Sequence, residues 1–202
     1  MTIHQTVIVR TLMRWLAKLF LLGTGWRTEG RKPETDRYVV IAAPHTSNWD
    51  FIYTLALAFS FRIDARIMMK DAWFRWPLGP LFRWLGAMPI DRTRSRNVVA
   101  QSVEAFQKAS RMVLVVPPSG TRRKVQYWKS GFYHIAYGAG VPIALGFLDY
   151  GRRVGGFGPL FHPTGDIEQD MAGIREFYRP IQGKFPTQAN QGMVCPELKP
   201  PC

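Results

Sequence analysis

The sequence of 202 residues contains few cysteines, few acidic residues and no long uncharged segment. Its two cysteines, Cys195 and Cys202, both lie near the C-terminus. They exclude a disulfide framework or a cysteine-based metal cluster, and such cysteine usage is typical of a reducing compartment. The sequence has only 14 acidic residues but 27 Lys and Arg, so the net charge is +13. This excess favours anionic partners such as nucleic acid, an acidic bilayer or a phosphate-bearing substrate, and charge alone does not choose among them.

No segment long enough to cross a bilayer is free of charge. The best candidate, residues 12–26, carries Arg14 and Lys18, which with Arg10 recur every four residues on one helical face. Apolar side chains lie on the other faces, namely Leu12, Trp15, Leu16, Leu19 and Phe20. This pattern is typical of an interfacial helix, and it fits a helix docked on a protein core equally well. We expect residues 1–26 to form an N-terminal amphipathic helix at a membrane interface.

Apolar residues, in contrast, are abundant: 47% of the chain is hydrophobic and 13% is aromatic, which excludes a disordered chain. Apolar runs predict strands that alternate with amphipathic helices through the middle of the sequence. We therefore expect one α/β layered domain over residues 27–182, with a central mixed, mostly parallel sheet flanked by helices. Pro, Gln and Asn accumulate from Gly183 onward, which predicts a loose C-terminal tail over residues 183–202.

Three polar segments each follow a predicted strand, where α/β folds gather their sites. The first is PHTSNWD, in which His45 leaves the strand and Asp50 lies in the first turns of the next helix. A chain reversal between them would bring the carboxylate onto the imidazole, fix its tautomer and stabilise its cation. Such a His is suited to remove the proton of an alcohol that attacks a thioester. The competing interpretation is a His that caps the helix, with Asp50 facing solvent.

The second segment is GAMPIDR (86–92), where Arg92 presents a planar fork that suits a phosphate. The third is VVPPSGTR (115–122), where small residues and exposed amides allow a ligand to approach closely. Here the candidate substrate-binding residues are Ser119, Gly120, Thr121, Arg122 and the nearby Lys129. A surface ion pair at Arg92 and a basic turn without a ligand are the competing interpretations.

PHTSNWD, GAMPIDR, SGTR and VPI (141–143), in this order, resemble the four sequence blocks of the glycerolphosphate and lysophospholipid acyltransferase family. The resemblance covers residues 38–150. It implies a thioester donor, either acyl-CoA or acyl carrier protein, and a lysophospholipid or related hydroxyl acceptor at a membrane surface. It assigns His45 as general base and Asp50 as the residue that orients it, and it associates Arg92 and Arg122 with the acceptor phosphate.

The same resemblance implies no metal, no cofactor besides the donor and no covalent enzyme intermediate. The expected partners are the donor, the lipid acceptor and an anionic membrane, and the expected location is peripheral, on the cytoplasmic side of a membrane. Nucleic acid is suggested only by charge, because no reader motif is present. The sequence gives no oligomeric state.

One departure from the family pattern matters for the acceptor: Ser119 lies where the third block usually has Glu. A Glu accepts hydrogen bonds from acceptor hydroxyls and balances the neighbouring Arg, whereas Ser is shorter and neutral. A different acceptor, a weakened enzyme or an alteration of this residue would each account for the change. The alternative function is therefore a weakened or non-catalytic lipid-binding member of the same fold.

Overall fold

The structure is a computed structural model that describes residues 6–70, 74–90 and 95–189. Arg92, Cys195 and Cys202 lie outside the described residues. The helices are α1 (Val7–Gly23), α2 (Trp49–Phe61), α3 (Leu78–Trp84), α4 (Ser95–Lys108), α5 (Gly131–Ala139) and α6 (Ile167–Tyr178). The strands are β1 (Arg27–Glu29), β2 (Arg37–Ala43), β3 (Ala65–Lys70), β4 (Ala87–Ile90), β5 (Met112–Val116), β6 (Ile143–Asp149) and β7 (Val154–Phe161).

These strands form one seven-stranded sheet in the order β1-β7-β6-β2-β5-β3-β4. Strands β2 to β6 run parallel, whereas β7 is antiparallel to β6 and β1 is parallel to β7. The predicted α/β domain with a mixed, mostly parallel sheet is therefore confirmed. The hydrophobic pattern does not predict β1, because Arg27–Glu29 are polar and exposed. This strand depends on backbone pairing with Val154–Gly156, where a Cβ on Gly156 would overlap the carbonyl of Glu29.

Different helices cover the two faces of the sheet. Side chains alternate along β2, so its residues contact one set of helices on one face and α2 on the other. Val39, Ile41 and Ala43 belong to a core shared with α4, α5 and α6. Val40 points the other way and belongs to a separate cluster with Ala58 of α2. Both faces of β2 are thus buried, which explains why this strand is a continuous apolar run in the sequence.

Helix α1 forms a further layer outside α2. Its residues Ala17 and Leu21 are buried in a cluster with Tyr53 and Leu57 of α2, so one face of α1 is docked on the domain. Another face exposes a row of large apolar side chains, the apolar stripe: Ile8, Leu12, Trp15, Leu19 and Leu22. None of the helices in the described ranges is long and apolar enough to cross a membrane.

The parallel strands bring three segments to one edge of the sheet. β2 lies between β5 and β6, so the residues that follow these strands meet at their common carboxyl ends. The start of the predicted tail also contacts this edge. The Phe185 N–H donates to the Thr46 hydroxyl over 3.2 Å, and a Cβ on Gly183 would lie 2.9 Å from the same hydroxyl oxygen. The sequence does not predict this contact.

Candidate active site

The first block forms a tight reversal between β2 and α2, and Asp50 closes it. The Asp50 Oδ2 atom accepts hydrogen bonds from the Thr46 N–H over 2.8 Å and the Ser47 N–H over 2.9 Å. The same oxygen lies 3.1 Å from Nδ1 of His45. A carboxylate in the first turn of a helix is well placed to accept from the preceding amides, which are not used within the helix. The interpretation of Asp50 as a solvent-facing residue is wrong, because only 4% of this residue is exposed.

The second carboxylate oxygen, Oδ1, accepts a hydrogen bond of 2.7 Å from the Tyr150 hydroxyl. Burial alone would raise the pKa of Asp50, since it disfavours the charged form. The hydrogen bonds from His45, Tyr150, Ser47 and Thr46 outweigh burial and hold the pKa of Asp50 below its usual range. The carboxylate is therefore ionised at neutral pH.

The ionised Asp50 carboxylate also determines where the protons lie on its two side-chain partners, Tyr150 and His45. Burial and the adjacent carboxylate raise the pKa of Tyr150 well above its usual value, so the hydroxyl keeps its proton and donates it. Of the two tautomers of a neutral imidazole, an ionised carboxylate beside Nδ1 of His45 favours the one that carries its proton on Nδ1. The other ring nitrogen, Nε2, then carries a lone pair that can accept a proton.

The sequence does not single out Tyr150, the residue directly after β6. Its ring makes edge contacts with Trp26 and Tyr53, at centroid distances of 4.9 Å and 5.8 Å. Its N–H donates to the carbonyl of Gln182 over 2.8 Å. The available signal is its place at the carboxyl end of a buried parallel strand next to β2. That signal is weak, because an aromatic residue there is as readily explained by core packing.

An apolar cavity of about 260 Å³ extends from His45 into the space between α2 and the sheet. His45, Asp50 and Pro44 line the end of the cavity at the carboxyl edge of the sheet. Its walls are almost entirely hydrophobic and include Val40, Ala58, Ile63, Ala65, Val113 and Phe157. The register places Val113 beside Ala65 and Tyr38, at the opposite end of the strands from His45. The cavity therefore has the shape and chemistry to hold an alkyl chain whose head lies at His45.

The third block begins at this cavity, because Pro117 lines it together with His45. The block folds into a turn in which the Gly120 N–H donates to the Pro117 carbonyl over 3.0 Å. The Ser119 hydroxyl donates to the Thr121 carbonyl over 2.7 Å. The Lys129 N–H donates to the Pro118 carbonyl over 2.9 Å, which brings this lysine beside the turn.

Of the predicted site residues, the structure brings His45 and Asp50 into direct contact. Ser119, Gly120 and Thr121 belong to the turn that starts at the same cavity, Arg122 is an exposed residue at its end, and Lys129 lies beside it. Arg92 belongs to a segment outside the described residues, so its predicted role in substrate binding stays a prediction. The adjacency of the first and third blocks follows from the pairing of Ile41 with Val116.

His45 is partly exposed and Asp50 is buried, and the pair lies at the mouth of an apolar cavity on a mostly parallel α/β sheet. This arrangement is suited to an enzyme that uses a His base beside an alkyl chain. A model of the Acyltransferase family matches residues 27–144, more than half of the chain. The chain therefore belongs to the acyltransferase family, which confirms the predicted family and the predicted class of enzyme.

The fold is also similar to a solved structure, the crystal structure of the 1-acyl-sn-glycerophosphate (LPA) acyltransferase PlsC from Thermotoga maritima. The TM-score is 0.61 at 18% sequence identity, over 85% of this chain and 78% of that chain. At this identity the similarity concerns the fold. No curated protein matches the sequence significantly.

Proposed function

We propose that this protein transfers a fatty acyl group from acyl-CoA or acyl carrier protein to a hydroxyl of a lysophospholipid or a related lipid. The observation that carries the proposal is the position of His45, held by Asp50 at the mouth of an apolar cavity. The cavity receives the acyl chain of the donor, so the thioester carbonyl lies near the imidazole. His45 is then the general base and Asp50 the residue that orients it.

In the proposed reaction, Nε2 of His45 takes the proton of the acceptor hydroxyl as its oxygen attacks the thioester carbonyl. The resulting tetrahedral intermediate collapses, the carbon–sulfur bond breaks and the acyl group remains on the acceptor oxygen. The imidazolium then returns its proton to the departing thiolate. Asp50 stays ionised throughout and stabilises the imidazolium, as its lowered pKa allows.

Arg122 of the third block and the nearby Lys129 are the proposed ligands of an anionic acceptor headgroup, together with Arg92. Arg122 follows the turn that starts at the cavity, and Lys129 is hydrogen-bonded to that turn through its backbone N–H. Ser119 is neutral, so it adds no negative charge to the site, and its hydroxyl donates within this turn. Arg122 and Lys129 thus lack the carboxylate that the family usually has there, and we infer an acceptor whose headgroup suits a more positive site.

The proposed location is peripheral, on the cytoplasmic side of an anionic membrane. The apolar stripe of α1 supports it, because five large apolar side chains in a row are each more than half exposed. Trp49, Phe51 and Ile52 at the start of α2, next to Asp50, are also substantially exposed. A bilayer that covers both groups would deliver lipid substrates directly to the mouth of the cavity.

The experiment is a screen of lipid acceptors with the purified protein and both thioester donors, with thiol release and product mass as readouts. The proposal predicts an acylated lipid and one released thiol per product. Transfer to an acceptor other than lysophosphatidic acid would assign the role of Ser119 to acceptor choice. Vesicle binding without transfer to any acceptor would contradict the proposal and favour the non-catalytic lipid-binding alternative.

A further inference from the structure

A second concave site lies at the other end of α2 from His45. Its pocket, of about 220 Å³, is lined by Arg10, Arg14 and Lys18 from successive turns of α1 and by Arg62, which ends α2. Thr11 and Trp15 complete the described lining, which contains no carboxylate. With a rise of 1.5 Å per residue, Arg62 lies roughly 18 Å along α2 from Asp50. The pocket is therefore separate from the candidate active site.

Two features of these cations are unfavourable for the stability of the fold. The Nε atom of Arg14 is buried and has no hydrogen-bond partner among the described residues, which is costly for a charged group. Arg62 adopts a left-handed conformation, with φ 58° and ψ 45°, at the end of a helix, where glycine is the favoured residue. An anion in the pocket would give Arg14 a partner and would offset the repulsion among the four cations.

The surroundings of the pocket indicate what carries the anion. Trp15 lines the pocket and also belongs to the apolar stripe of α1, so the two surfaces adjoin. A ligand with a phosphate beside apolar chains would contact both at once, and arginine forks are well suited to phosphate oxygens. Nucleic acid offers phosphates as well, but it offers nothing for a row of exposed leucines.

We propose that Arg10, Arg14, Lys18 and Arg62 form a binding site for the phosphate of an anionic phospholipid. The assignment to a lipid rests on the membrane-facing role proposed above for the apolar stripe. This lipid is a fixed component of the membrane surface rather than the acyl acceptor, because its phosphate lies at the far end of α2 from His45. It would set the depth and orientation of α1 in the bilayer.

The test compares binding of the full chain to phosphatidylcholine vesicles with and without phosphatidylglycerol. One variant is Arg10→Gln/Arg14→Gln, and its matched control is Arg31→Gln/Lys32→Gln, which removes the same charge from exposed residues of the loop before β2. We expect the first pair to weaken binding to the anionic vesicles by roughly 20-fold, at about fivefold per cation, and the control by less than about threefold. Equal losses for both pairs would overturn the site in favour of diffuse charge.

Arg62→Gly separates binding from stability. Glycine suits the left-handed position, so the thermal unfolding midpoint is expected to stay the same or rise. Binding to the anionic vesicles should nevertheless fall about fivefold. Unchanged binding in this variant would exclude Arg62 from the site and overturn the proposal as stated.

Competition distinguishes the sources of phosphate. Inorganic phosphate that binds the parent protein and not Arg10→Gln/Arg14→Gln, while both proteins bind anionic vesicles equally, would overturn the lipid assignment in favour of a free anion. Tight, salt-sensitive binding of an oligonucleotide, with vesicles ignored, would overturn it in favour of nucleic acid. His45→Ala should bind vesicles as tightly as the parent, so a failure of catalysis and a failure of this site give different results.

Discussion

Asp50 is the residue on which the geometry of the first block depends, because one buried carboxylate accepts from two backbone amides and contacts His45 and Tyr150. Its neighbours each lose a partner if the carboxylate is removed. The interactions that hold Asp50 also connect the stability of the domain to pH, since they favour the ionised form only in the folded protein.

For Asp50→Asn we predict a loss of about 1–3 kcal/mol in the free energy of unfolding at pH 7, because the amide nitrogen cannot accept from these donors. The folded pKa of Asp50 is lowered, so its contribution is present above the usual carboxyl pKa of 3.8 and is lost as pH falls through the lower folded value. Urea unfolding of both proteins between neutral pH and the acid range measures this. A difference in stability that stays constant down through the acid range would contradict the assignment.

In the proposed mechanism Tyr150 is a positioning residue, because its hydroxyl contacts Asp50 and would act on the reaction only through that carboxylate. Tyr150→Phe removes the hydrogen bond and keeps the ring packing against Trp26. We expect kcat to fall by roughly 10-fold, in the range for residues that orient catalytic groups. The hydrogen bond from Tyr150 lowers the pKa of Asp50, so its loss raises that pKa and should move the acid limb of the pH–rate profile to higher pH.

The control readout for Tyr150→Phe is thermal stability, which a purely structural residue would affect without moving the profile. A variant with lower activity at every pH and an unshifted acid limb would show that Tyr150 acts only by packing.

A residue of helix α2 lines the far end of the apolar cavity and so limits its depth. Ala58 lines the cavity and packs in the cluster with Tyr38, Ala65 and Val113, at the far end from His45. Ala58→Phe adds a large side chain in the existing space, so we predict a preference for shorter acyl chains. The measurement is kcat/KM over a series of thioester donors of increasing chain length.

Ala100→Phe is the matched control, since Ala100 is exposed on α4 and does not line the cavity. It should leave the chain-length profile as it is in the parent protein. The same profile in Ala58→Phe, with the fold intact, would mean that the acyl chain binds elsewhere.

The apolar stripe of α1 is the second feature at the scale of one element. Leu19 is 62% exposed, so Leu19→Ser removes little from the core and should leave the unfolding midpoint nearly unchanged. Loss of its burial in a bilayer should weaken vesicle binding by roughly 10-fold or more. Vesicle cosedimentation measures this, with Leu160→Ser as the control because Leu160 is also exposed but lies on β7. Equal binding of the two variants would exclude the stripe from the membrane contact.

At the scale of the whole molecule, the sequence predicts the parallel core and the contact between His45 and Asp50 for a common physical reason. Strands buried on both faces are continuous apolar runs, and the polar residues that follow them meet at one edge of the sheet. β1 has no such signal, since its polar residues pair only through the backbone. Tyr150 contacts Asp50 across 100 positions of sequence, and no local pattern encodes that approach.

The pocket at the end of α2 is a second feature that no local sequence pattern predicts. The periodicity of α1 identifies a basic face with Arg10, Arg14 and Lys18, but it does not show that Arg62 closes a pocket with them. That pocket exists because α1 packs on α2 through Ala17 and Leu21. Helix-on-helix docking therefore creates a site that neither helix predicts by itself.

The central claim is that His45 is the general base of an acyl transfer, and one rate comparison tests it most directly. Thiol release should be measured for the parent, for His45→Ala and for His162→Ala, which changes an exposed His outside the site, with a donor and acceptor that the parent uses. We predict that His45→Ala loses roughly 10²–10⁴-fold in kcat with its circular dichroism unchanged, whereas His162→Ala keeps the parental rate. A folded His45→Ala variant that transfers acyl groups at the parental rate would contradict this account.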